Sequence, residues 1–138
     1  MVSMELDDSG AKRKLKQVRA TVKFITNAHA DMANFFVQRL VDEITAGQYV
    51  KVHSSNFRRS WDAMPIDPVT SIITSDLAIA PYAPFVVAWS ARKYGRSVLA
   101  ITVELFGREA ERSLQREWTT LVESINEGRR YTYRNPFR

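Results

Sequence analysis

The chain has 138 residues, 45% of them apolar, and carries 20 basic against 15 acidic residues for a net charge of +5. That length and composition fit one domain with a modest core and exclude a disordered chain. The absence of cysteine excludes disulfides, Cys-ligated zinc and a thiol nucleophile, and no run of about 18 apolar residues is present to span a membrane.

Residues 1–8 are acidic and lack an apolar stretch, so they are not expected to act as a signal peptide. Residues 9–46 are predicted as one long helix or two nearly collinear ones. Leu15, Val18, Val22, Ile25, Met32, Phe36, Leu40 and Ile44 recur at steps of three, four or seven, and Phe24, Phe35 and Val37 widen the stripe. Asp7, Asp8 and Ser9 supply start signals, and Gly47 supplies the stop.

Pro65 and Pro68 exclude a long helix over residues 48–80. The β-branched run Val69 to Ser75 predicts a strand, and Trp61 to Ile66 a weaker one. Ser75-Asp76 reads as a turn leading into Leu77 to Ala80, so a small antiparallel sheet of two to four strands is expected. A short helix is predicted near residues 82–89, with proline in its first turn, and then a loop over residues 90–96. A second long helix is expected from Val98, with Leu99, Val103, Phe106, Ala110, Leu114, Trp118, Leu121 and Ile125 on one stripe. Gly107 is a candidate bend and Gly128 a natural stop.

The fold class is therefore α+β: two long amphipathic helices on a small antiparallel sheet. Residues 1–128 form the domain and residues 129–138 a basic-aromatic arm. A helix of about 35 residues is roughly 50 Å long, whereas a compact domain of this size is about 30–35 Å across. The helices must kink, or their ends must project toward a neighbouring subunit.

No set of residues assembles into an enzyme site, and no cofactor is implied. His29 and His53 are the only histidines and share no metal-ligand spacing with the acids. Ser54, Ser55 and Ser60 lack the glycine elbow of a nucleophile and read as turn chemistry. The paired acids Asp42-Glu43 and Glu109/Glu111 lie near bases and read as solvated ion-pair faces. Trp61, Tyr82, Phe85 and Trp118 are the expected core anchors, and Arg58 and Arg59 are candidates for contact with a neighbour.

After Gly128 the chain carries Arg129, Arg130, Arg134 and Arg138 and no acid, so the rest reads as nearly balanced. In the arm, Tyr131, Tyr133 and Phe137 alternate with these arginines. Three readings stay open: nucleic-acid contact by phosphate neutralisation and stacking, a clasp on an adjacent subunit, or a frayed terminus. The clasp is favoured, because three solvated aromatics are poor for solubility.

The order of these features resembles small neck and tail-completion proteins of tailed bacteriophages, which join the capsid connector to the tail. Three segments carry the resemblance: Leu6-Asp7-Asp8-Ser9-Gly10 with Leu15 opening a long helix, Ser55-Asn56-Phe57-Arg58-Arg59-Ser60-Trp61 after it, and Tyr82-Ala83-Pro84-Phe85-Val86 after the strand. Asn56 stands where the family has glycine, and Ala88-Trp89-Ser90 replaces a later one. The resemblance implies a non-catalytic subunit of a head–tail connector, neck or tail-terminating ring. It further implies a homo-oligomeric ring, six-fold favoured, with other phage connector and tail proteins as partners and non-specific contact with channel DNA. No membrane is involved; the site would be the virion, with the host cytoplasm during assembly. The competing class is a small basic nucleic-acid-binding module.

Overall fold

A computed structural model describes residues 9–44 and 56–138. The Asp7–Asp8 start signals, Gly47, His53, Ser54 and Ser55 lie outside the described residues. The elements are helix α1 (Ser9–Arg39), a π-helical turn (Leu40–Ile44), the short helix α2 (Asn56–Arg59), strands β1 (Trp61–Asp67) and β2 (Thr70–Ser75), and helices α3 (Ala83–Tyr94) and α4 (Val98–Asn126). The architecture is α+β, with long first and last helices and one two-stranded antiparallel sheet.

The hairpin turn follows from its sequence. Pro68 presets the turn, and the Asp67 carboxylate accepts the Val69 N–H at 2.8 Å. That hydrogen bond, the largest influence on the group, holds the Asp67 carboxyl below the usual carboxylate range. No described residue other than glycine has positive φ, so the turn is not of the type that matches strand twist. A register shift between Pro65 and Asp67 takes up the mismatch.

Two expectations change. Leu77 to Ala80 forms a turn in place of a strand, because the Asp76 carbonyl accepts the N–H groups of Ile79 and Ala80 and its carboxylate takes that of Ala78. The loop expected over residues 90–96 is helical as far as Tyr94, and Gly95 ends α3 at φ 74°. The Ser97 hydroxyl then accepts the Ala100 N–H to start α4, which continues through Gly107 without a break.

The core lies at one end. Leu40, Phe57, Trp61, Ala80, Ala83, Val98 and Ile101 form a buried cluster, with Val37, Ile73, Val86, Leu99 and Phe106 packed around it. Phe57 meets Trp61 edge to face at 5.8 Å. Buried Ser60 ties the hairpin's two ends together: its hydroxyl donates to the Phe57 carbonyl and meets the Ser75 hydroxyl, each at 2.7 Å. Its role is structural, as turn chemistry predicts.

Candidate functional site

α1 passes through two environments. From Ala28 onward it is enclosed. The hairpin covers one side and its tip is pinned at His29, whose Nε2–H donates to the Pro68 carbonyl at 2.9 Å. That fixes the tautomer, so His29 Nδ1 accepts from the Ser71 hydroxyl at 2.7 Å. Before Ala28 the side continuing from the hairpin is bare. Leu15, Val18, Val22 and Ile25 are each at least 42% exposed, although they carry the same apolar stripe that ends in fully buried Leu40.

A second bare apolar surface lies at the core end. Phe85 is 76% exposed. Trp89 lies one turn further on the same side of α3, with the Lys93 ammonium 4.9 Å from its ring. Leu77, Ile79 and Tyr82 extend this surface along the preceding turn. Of the expected core anchors, Trp61 is buried. Phe85, Tyr82 and Trp118 are not: α3 turns its small residues Ala83 and Ser90 inward in place of Phe85, and α4 buries Ser113, Glu117 and Leu121 in place of Trp118. Trp118 packs edge to face on Phe24 at 5.5 Å. With Phe24, Glu111, Leu114 and Gln115 it lines a shallow, open cavity of about 220 Å³. Glu111 is the one acid there, so the cavity brings no acid–base pair together.

The arm does not reach outward. The helix α4 ends in a Schellman arrangement: Gly128 at φ 67°, its N–H on the Ile125 carbonyl and the Arg129 N–H on that of Ser124. This reverses the chain onto its own body. Tyr131 is buried and donates to Glu117 Oε1 at 2.6 Å, and the same oxygen accepts the Arg134 N–H at 3.1 Å. Tyr133 donates to Asp31 Oδ2 at 2.6 Å and packs near Phe24. The Phe137 ring sits 5.3 Å from Phe35. Burial, and then a carboxylate acceptor, push both tyrosine hydroxyls well above their ordinary pKa.

The aromatics proposed as anchors for a neighbour are thus used within the chain. Arg129, Arg130, Arg134 and Arg138 remain at the surface, with Arg129 paired to Glu127 at 2.6 Å. Arg58 is also spent internally, donating from Nε to the Val41 carbonyl of the π turn at 3.0 Å. Arg59 is exposed and bonds Asn56. Asn56 itself starts α2 with ordinary negative φ, so this position does not need glycine.

Among the described residues, no three His, Asp or Glu side chains converge to hold a metal ion, and no helix is long and apolar enough to cross a membrane. Protein-family models, curated proteins and solved structures give no match to this chain.

One pattern escaped the sequence reading. Residues 1–128 are balanced in sum but not in distribution. From Ser9 to Ala30 the chain holds Lys12, Arg13, Lys14, Lys16, Arg19 and Lys23 and no acid. From Trp61 to Ala91 it holds Asp62, Asp67 and Asp76 and no base. Charge counted in fixed windows along the sequence would have found both.

Proposed function

We propose that the protein is a structural subunit of a homo-oligomeric ring, of the kind that joins capsid connector to tail in tailed bacteriophages. The observation that supports it is the pair of unlike apolar surfaces on one chain. Val22 of the α1 stripe lies roughly 27 Å along the helix from Leu40, which packs in the core cluster with Ala83 of α3. A two-fold dimer needs only one self-complementary patch, whereas a ring needs two different patches that fit each other head to tail. Bare patches of this kind mark protein contacts. Basic residues around the stripe, and Asp62, Asp67 and Asp76 on the hairpin and the turn before α3, would steer that pairing, although Lys93 sits on the ridge itself.

The test is assembly of single and mixed variants by mass photometry. Val18→Asp and Phe85→Asp should each abolish rings, since a charge in an apolar contact is costly. Mixed, they retain one intact pair of surfaces and should give a one-to-one heterodimer that goes no further. A mixture that stays monomeric would remove the head-to-tail reading. Portal, capsid and tail-tube genes beside its own gene would support the neck assignment, and a regulatory operon there would count against it.

A further inference from the structure

We infer that α1 carries, beside its apolar stripe, a line of cations that binds the phosphate backbone of duplex DNA. Positions 12, 16, 19, 23, 27, 30 and 34 recur at steps of three and four, so they share one side of the helix over about 33 Å. They hold Lys12, Lys16, Arg19, Lys23, Asn27, Ala30 and Asn34: four cations, two amides and no acid. All but Ala30 are exposed.

Three of the line's cations, Lys16, Arg19 and Lys23, lack the internal pairing of other bases in the molecule. On α4, Arg108 has Glu104 and Glu111 within a turn, and Arg112 has Glu109. Arg39 pairs with Glu109 and Arg96 with Glu104. Among the described residues, Lys16, Arg19 and Lys23 make no ion pair. Asp31, the first acid along α1 after Lys23, is turned to the Tyr133 hydroxyl. In the arm, Arg134 lies between the contacts with Asp31 and Phe35, and Arg138 directly follows the second. The fold thus brings together the chain's two acid-free basic segments.

Three features point to duplex phosphates. A single strand is held by stacking on free rings as well as by charge, and Tyr131, Tyr133 and Phe137 are already packed on the body. A helix lying on a bilayer sets cations along both margins of its apolar stripe. Here Lys12, Lys16, Arg19 and Lys23 gather on one margin and only Lys14 occupies the other. The line is also about 110° round the helix from the stripe, at 3.6 residues per turn. A neighbouring subunit on the stripe would leave it open. The inference goes beyond the ring reading and does not depend on it.

The test is fluorescence anisotropy of the full chain with a labelled duplex of about 30 base pairs at about 50 and about 200 mM salt. Neutralising three phosphates, one each for Lys16, Arg19 and Lys23, gives a slope of log affinity on log salt of about −2.7, hence a roughly 40-fold loss over that range. The quadruple variant K12Q/K16Q/R19Q/K23Q keeps helix-favouring residues at exposed positions. It should bind at least about tenfold more weakly at low salt, with most of the salt slope gone. The control R92Q/R108Q, with unchanged circular dichroism, should bind within about twofold of the parent. Wild-type affinity in the quadruple variant would overturn the inference. So would binding to phosphatidylserine-containing vesicles without binding to the duplex. Running the same assay on Val18→Asp separates loss of assembly from loss of DNA binding.

Discussion

Leu15 in α1 and Leu40, the first residue of the π turn that continues it, belong to one continuous stripe and meet opposite surroundings. Leu40 is fully buried among Phe57, Trp61 and Ile101, whereas Leu15 is 48% exposed. What separates them is the reach of the hairpin, which runs along α1 from the core and stops at His29. Beyond that point the same pattern has no cover from its own chain. The contrast teaches that a helical stripe records which side is to be buried and says nothing about what buries it.

The sharpest way to break this contrast is one substitution made twice. Leu40→Ala should cost about 3 kcal/mol, the usual price of a core cavity. Leu15→Ala should stay within about 0.5 kcal/mol in the monomer, since surface changes of this kind are small and alanine suits a helix. Urea denaturation of the two variants at concentrations where the chain is monomeric measures the difference. A Leu15→Ala cost of about 2 kcal/mol or more would mean that the first half of α1 is covered after all.

The arm docks on the enclosed half and reaches the open half only at Phe24, which gives the next test. Tyr131→Phe removes a donor from buried Glu117 and should cost about 1–3 kcal/mol. The same hydroxyls give a pH dependence. Both have raised pKa values in the folded chain, so folding holds their protons more tightly than unfolding does. Their contribution is fully present below the ordinary tyrosine value near 10 and is lost as pH rises above it. Thermal melts should therefore fall steeply above about pH 10, and the double Tyr131→Phe, Tyr133→Phe variant should show a flatter decline from a lower starting point. Equal slopes in parent and variant would show that the arm is not docked in solution.

Much of the fold was legible because it rests on local rules. The stripes of α1 and α4, the β-branched run of β2, Pro84 in the first turn of α3 and Gly128 as a stop each act within a few residues. Phe85 and Trp118 were misread as core because size and hydrophobicity do not reveal which side of a helix the tertiary structure covers. In α3 the buried side is made by Ala83 and Ser90, and bulk alone would not have pointed to them. The arm was misread for a related reason. Its aromatics do need cover, but the acceptors that capture them, Glu117 and Asp31, stand 14 and 102 residues away along the chain. The basic line was visible in the sequence, hidden only by summing charge over too long a stretch.

His29 marks the border between the halves of α1 and gives the smallest of these effects. Its two ring nitrogens hold the hairpin tip through the Pro68 carbonyl and the Ser71 hydroxyl. His29→Ala loses both hydrogen bonds at a partly exposed site, for about 1–2 kcal/mol in all. The informative readout is local. Amide exchange in the parent should be fast before Ala28 and protected from there to Arg39, because opening is easiest where few apolar contacts must be broken. In His29→Ala the boundary should move toward the core by about one helical turn as the hairpin tip lifts, while the amides around Leu40 keep their protection. An unmoved boundary would assign the enclosure to α4 and the arm alone, and would leave the hairpin as a passenger on α1.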